Sequence, residues 1–175
     1  MAVFISGAGV DNAGMHPVEH SEYAAVLSAP FGAIGVRLMG EALAGLDFLP
    51  PEVPLRPCGS AAIHRVAHEL EAYYANPRHD WKLVLATAGT LFRQRVWQVL
   101  TTIPCGRTRT YGTIADELGS SPRAVSQEVG DNPIAIVIPC HRVLAAHGLG
   151  GFMHGTAGFP LTVKRWLLHH EGIEF

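Results

Sequence analysis

Between residues 89 and 133 the chain is cut into short lengths by residues through which no helix runs smoothly. Gly89-Thr90, Pro104, Gly106, Gly119, Ser121-Pro122 and Gly130-Asp131-Asn132-Pro133 stand there at close intervals. Glycine and proline end helices, and Ser or Thr ahead of an apolar-periodic stretch begins one. Behind Thr90, the residues Phe92, Val96, Val99, Leu100 and Ile103 give one apolar face at helical spacing. Tyr111 to Leu118 reads as a second, shorter helix stopped by Gly119. Ser121 caps a third, from about Pro122 to Val129, with Pro122 at the first position, where its missing N–H costs nothing. Helix, tight turn, helix at this spacing is the outline of a helix-turn-helix. The apolar run Ile134 to Ile138 is expected to be a buried strand. Pro139-Cys140-His141-Arg142-Val143 follows at its mouth, then a loop rich in glycine (Gly148, Gly150, Gly151, Gly155) and a last helix from about Leu161 to His170.

The first half has a different texture. Residues 1–28 mix Gly, His and Asn and read as an irregular or short-helical lead-in. Gly32, Ile34, Val36 and Leu38, then Leu43, Leu46 and Phe48, predict a hairpin turning near Gly40-Glu41. After the loop Pro50 to Pro54, Ser60 caps a helix of about a dozen residues with Ile63, Val66, Leu70 and Tyr73 on one face, ending before Pro77. The expected class is α+β. A small N-terminal α/β domain with an antiparallel sheet covers residues 1–84, and a mainly helical domain with the helix-turn-helix covers 85–175, its first helix opening near Gly89-Thr90.

Apolar residues make up 48% of the chain and charged ones 16%, so it should bury a real core. No apolar run approaches the roughly 20 residues of a membrane span, and no secretory signal is expected at the N-terminus. Three cysteines, Cys58, Cys105 and Cys140, are an odd number without CxxC spacing, which argues for a reducing, cytosolic compartment. The pairs His16/His20 and His64/His68 lack Cys or Glu at ligand spacing and are read as surface or cap histidines, so no metal is expected. The net charge of −2 hides an asymmetry: residues 1–90 hold five Lys+Arg against nine Asp+Glu, residues 91–175 eight against six. That is a weak basic bias, consistent with a small phosphate-contacting footprint.

A free thiol titrates near pH 8.5, so a nucleophilic cysteine needs a base or a positive charge beside it. Cys140 and His141 supply such a pair, but on an extended backbone their side chains leave opposite sides. A turn or a bridging water is needed for His141 to take the proton. Glu171 orienting the other imidazole nitrogen completes a nucleophile–base–orienter relay. Arg123, early in the third helix, is either a phosphate-facing residue or a side chain that fills the gap left by an extruded base. Tyr111 is either a half-buried cap or a donor to that base.

The stretch Pro139 to Val143, preceded by Asn132-Pro133-Ile134 and Arg123-Ala124-Val125, resembles the O6-alkylguanine-DNA alkyltransferases, also called methylated-DNA–protein-cysteine methyltransferases. Gly89 to Phe92, Val96-Trp97, Ile103 to Thr108, Tyr111 to Ala115 and Lys164 to Gly172 support the resemblance in the same order along the chain. Fainter similarity lies in Ser28 to Gly32 and Leu46 to Pro50. The resemblance implies a ribonuclease H-like first domain and a second domain that enters the minor groove of double-stranded DNA. It further implies a monomer in the bacterial cytosol or nucleoid that needs no cofactor and transfers the alkyl group of a flipped O6-alkylguanine irreversibly to cysteine. O4-alkylthymine activity stays open. Cys140 would be the acceptor, with His141 and Glu171 the water-bridged relay and Asn132 holding the turn before it. Tyr111 would rotate the 3′ phosphate and bond the guanine, and Arg123 would be the intercalating finger. Arg93, Gly112, Ser121 and Ala124 would join Tyr111 and Arg123 on the DNA. Pro139, Val143, Met153 and His154 would line the pocket, with backbone groups of the 151–155 loop reading the base edge.

The chain departs from that pattern at Ser126-Gln127-Glu128, where small residues are usual and where Glu128 would sit uneasily near phosphates. It also departs at Phe152-Met153-His154, at a short insertion from Thr156 to Pro160, and at Cys105, read as a core residue. Two other readings of the same residues are a lesion binder without transfer and a cysteine hydrolase built on Cys140 and His141.

Overall fold

Residues 3–6, 23–57 and 59–174 are described by the computed structural model, so His16, His20 and Cys58 lie outside the described residues. The chain divides into two compact units, Met1–Gly89 and Thr90–Phe175.

The first unit carries strands β1 (Val3–Ser6), β2 (Ala25–Ala29), β3 (Gly32–Met39) and β4 (Ala42–Leu49), helix α1 (Ala61–Ala75) and strand β5 (Val84–Thr87). β3 and β4 form the expected hairpin, Met39 facing Ala42 across Gly40-Glu41, and Gly40 takes the left-handed conformation (φ +61°) that such a tight turn demands. The α+β class holds, but the sheet is mixed rather than antiparallel, in the order β1-β5-β4-β3-β2. β2, β3 and β4 run antiparallel, while β5 pairs parallel with both β4 and β1. The reason is α1: a helix between two strands returns the chain in the same direction. The irregular lead-in expected over 1–28 therefore contains β1 and the start of β2. Ser60 caps α1 by accepting the Ile63 N–H at 3.2 Å, and Ala62, Ile63, Val66, Leu70 and Tyr73 make its buried stripe.

The second unit holds α2 (Leu91–Thr101), β6 (Arg109–Thr110), α3 (Tyr111–Leu118), α4 (Pro122–Gly130), a 3-10 turn (Cys140–Arg142), β7 (Val143–Leu144) and α5 (Phe159–His170). Thr110 and Thr113 form a capping box at the head of α3, each side chain bonding the other's backbone N–H. Gly119, at φ +60°, ends α3, and Ser121 accepts the Ala124 N–H to start α4. β6 and β7 pair in a short parallel ladder.

The expected strand at 134–138 is instead a buried turn. Ile138 donates to the Ile134 carbonyl at 2.9 Å, and Ile136 is left-handed at φ +72°. Asn132 stands in for a partner strand: its Nδ2 donates to the Ile138 carbonyl at 2.7 Å, and its Oδ1 accepts from the Ile134 N–H at 3.1 Å. An unbroken apolar run says only that a segment is buried, and here a side-chain amide satisfies the backbone that a sheet would have satisfied. The last helix likewise begins at Phe159, with Pro160 in its first turn, so most of the expected 156–160 insertion is a short exposed stretch up to Gly158.

Candidate active site

The 132–138 turn delivers the chain into the 3-10 turn that begins at Cys140. The Cys140 N–H donates to the Ile138 carbonyl at 2.8 Å, and the residue is 1% exposed. Because the backbone is tightly wound here, the opposite-sided geometry expected of an extended Cys-His step does not apply. Burial pushes the Cys140 thiol up to about 11. The Asn132 side chain, the Lys164 ammonium and the backbone of Cys140 and His141 pull it the other way. At rest the sulfur is a protonated thiol.

His141 is fully buried, and its Nε2 lies 2.9 Å from Glu171 Oε1. Burial pushes the imidazolium below its ordinary range, against the pull of Glu171, so the ring is neutral. With Nε2–H donated to the carboxylate, Nδ1 is the basic nitrogen, and it has no hydrogen-bond partner among the described residues. Glu171, the residue just past α5, also receives Arg142 in a two-pronged contact at 2.9 and 2.8 Å. Burial alone would neutralise it. The hydrogen bonds and charges of His141 and Arg142 prevail and hold the carboxyl well below the usual carboxylate range.

Lys164 is a site residue that pattern reasoning did not single out. It is fully buried, and its Nζ donates to the carbonyls of Val143 (2.7 Å), Leu149 (2.7 Å) and Gly151 (2.9 Å). Burial lowers its pKa to about 8, with Cys140 pulling it back up. The signal was present: Lys164 sits on the α5 face that buries Val163, Leu167 and Leu168, where an ionisable side chain needs a reason.

Tyr111, the first residue of α3, donates its hydroxyl to the Gly151 carbonyl at 3.3 Å. Burial and then the nearness of Cys140 push its phenol up to about 12, with Ser126 pulling the other way. Tyr111, Arg123, Ser126, Gly151, Met153 and His154 border a cleft of about 330 Å³. Pro139 and Val143 are buried and do not border it. Arg123 is exposed on α4 and Ala124 is half-buried, while Ser121 has its oxygen occupied by the cap. Gly112 is half-buried, and a side-chain carbon there would come no nearer than 3.6 Å to Thr110 Oγ1, so nothing in the fold requires glycine.

The Arg93 guanidinium, expected on the DNA, is held by Glu128 at 2.5 Å and by Asp131, lies over the Trp97 ring and stays partly exposed. The same pairing answers the concern over Glu128, whose charge is met inside the unit. Cys105 is half-buried rather than a core residue. Among the described residues no group of three or more His, Cys, Asp or Glu is placed to hold a metal, and no helix is long and apolar enough to cross a membrane.

Residues 91–173 match the family model of the 6-O-methylguanine DNA methyltransferase DNA binding domain. A methylated-DNA–protein-cysteine methyltransferase of Methanosarcina acetivorans is 39% identical over 86% of this chain and 98% of its own length. The chain belongs to that family. The crystal structure of Mycobacterium tuberculosis O6-methylguanine methyltransferase superposes with a TM-score of 0.69 at 36% identity, covering 83% of this chain and 90% of that one. The same methyltransferase in complex with DNA gives 0.68 at the same identity and coverage. In this member of the methyltransferase family, the matched DNA binding domain takes in α2 to α5 with Cys140 and every other candidate site residue.

Proposed function

We propose that this protein repairs DNA by flipping O6-alkylguanine out of the duplex from the minor groove and transferring the alkyl group to Cys140 in a single turnover. The reading rests above all on the buried His141 ring, whose Nε2 is fixed by Glu171 and whose unpartnered Nδ1 belongs to the residue next to the thiol. A neutral imidazole in that tautomer is a proton acceptor. Cys140 gives its proton to His141 Nδ1, directly or through a water, as the sulfur attacks the alkyl carbon. The S–C bond forms while the C–O6 bond breaks, its electron pair leaving with the guanine, which then takes up a proton. Lys164 stabilises the forming thiolate, since its positive charge already lowers the Cys140 pKa. Tyr111, at the mouth of the cleft and close to Cys140, is the donor to the flipped base. The hydroxyl reaches the base by leaving the Gly151 carbonyl.

The thioether has no leaving group to reverse the reaction, so the protein acts as a stoichiometric monomeric reagent in a reducing cytosol. Arg123, exposed on α4, fills the gap left by the base. Incubation with a duplex carrying labelled O6-methylguanine tests this. One equivalent of label on Cys140, lost in Cys140→Ala, is expected. Tight binding without label, or product released over many turnovers, would overturn the proposal.

A further inference from the structure

α4 turns three polar side chains to solvent on one side. Arg123, Ser126 and Gln127 stand three and four residues apart and are all exposed, while Val125 and Val129 are buried. α4 is also the second helix of the helix-turn-helix, the one that such a motif lays in a groove of the duplex. A hydrogen-bonding side chain on that face meets base edges, and what it reads depends on which of its atoms is free. For Gln127 a neighbour decides this. Its Nε2 donates to Asp131 Oδ1 one turn on, at 3.5 Å, and a carboxylate only accepts, so the nitrogen end of the amide is the end set toward Asp131. Asp131 is itself anchored by Arg93 of α2 and by His154, whose Nε2 lies 2.6 Å from Oδ1. Gln127 Oε1, the other end of the amide, has no partner among the described residues. Ser126 differs, because a hydroxyl donates or accepts as it rotates, and Arg123 only donates.

We propose that Gln127 is a specificity-determining residue that reads a base pair flanking the lesion, its Oε1 accepting from the N2 amino group of guanine, so that repair is faster beside G·C than beside A·T. This role rests on the minor-groove alkyl transfer proposed above. With Arg123 in the gap left by the flipped base, Gln127 stands one helical turn along, about 6 Å away. Successive base pairs are about 3.4 Å apart, which brings Gln127 within two pairs of the lesion. On the minor-groove edge the guanine N2 amino group is the single donor, and an A·T pair shows only acceptors. A free acceptor therefore finds a partner at G·C and none at A·T. The nitrogen end gives no equal compensation, because an acceptor brought to it also approaches the Asp131 carboxylate.

The test measures transfer of labelled methyl from duplexes in which one pair, one or two positions to either side of O6-methylguanine, is G·C, inosine·C or 7-deazaguanine·C. Inosine lacks the N2 amino group of the minor groove, and 7-deazaguanine lacks the N7 acceptor of the major groove. At one of these positions the G·C-to-inosine·C rate ratio should be about fivefold higher in the unmodified protein than in Gln127→Ala, the worth of one net hydrogen bond. Comparing the two proteins cancels the weaker pairing of inosine itself. Gln127→Met, which keeps the length of the side chain without the acceptor, should match the Ala variant. A merely structural role would slow transfer from every duplex alike and leave the ratios unchanged. Equal ratios in all three proteins at every position overturn the inference, even where the unmodified protein transfers methyl normally. A Gln127-dependent loss with 7-deazaguanine instead of inosine also overturns it, by placing α4 in the major groove. Absence of transfer from every duplex by the unmodified protein overturns the alkyl-transfer reading and, with it, this one.

Discussion

Glu171 serves two buried partners at once, and its removal separates stability from chemistry. Glu171→Gln keeps the shape of the side chain but leaves the Arg142 guanidinium buried without a counter-charge. Stability at pH 7 should fall by about 3–5 kcal/mol, the usual cost of breaking a buried ion pair from one side. The pH dependence should change as well. The Glu171 pKa is depressed in the folded state, so its contribution is complete above the unfolded value of 4.5 and is lost as pH falls through the folded value. The His141 pKa is also depressed. The unfolded chain therefore takes up that proton first, and stability falls as pH drops below 6.5. The two effects add on the acid side. In urea unfolding at pH 7, 5 and 3, Glu171→Gln should keep the loss below pH 6.5 but show a shallower fall below pH 4.5. An unchanged acid limb would show that Glu171 is not the titrating group. At this scale the sequence was legible wherever a residue's type announces its chemistry, as with Cys140, His141 and Glu171. Lys164 was harder to read because its role depends on three carbonyls from separate segments that no spacing connects.

The elements that punctuation defines were readable, and those that burial alone defines were not. α3 spans Tyr111–Leu118 as expected because Gly119 and the Thr110 cap fix both ends locally. β5, four residues long, and the 134–138 turn carry no periodicity, so their form depends on what packs around them. The turn is the element on which Cys140 depends, and Asn132 is its keystone. Asn132→Ala would leave the Ile134 N–H buried and unpaired, at about 1–3 kcal/mol, while the Ile138 carbonyl would keep the Cys140 N–H as its donor. A loss of about 1–3 kcal/mol in chemical denaturation is therefore expected. Asn132→Asp keeps the acceptor for Ile134 but loses the donor to Ile138, and it sets a carboxylate beside the thiol. It should slow alkylation of Cys140 by iodoacetamide more than its stability loss explains, because a nearby anion disfavours the thiolate. Equal reactivity in the folded Asp variant would remove Asn132 from the electrostatics of the site.

Charge on the whole chain is −2, yet what a duplex meets depends on which cations remain after the second unit has satisfied itself. Of its eight Lys and Arg, Arg93, Arg109, Arg142 and Lys164 are engaged internally by Glu128 and Asp131, by Glu117, by Glu171 and by backbone carbonyls. Arg95, Arg107, Arg123 and Arg165 are exposed and make no ion pair among the described residues. Each phosphate neutralised contributes about −0.9 to the slope of log K against log salt, so four set a limit near −3.6. A small footprint of this kind gives weak binding to undamaged DNA and leaves recognition to the flipped base. Arg123 separates the two roles. If it occupies the gap in the base stack, Arg123→Ala should leave the salt slope almost unchanged. Repair of a duplex should then fall far more than transfer from free O6-benzylguanine, which has no stack to refill. If it contacts a phosphate, the slope should shrink by about 0.9, with repair weakened only in proportion to binding. The proposed finger role is abandoned if the slope shrinks and the two substrates lose rate together.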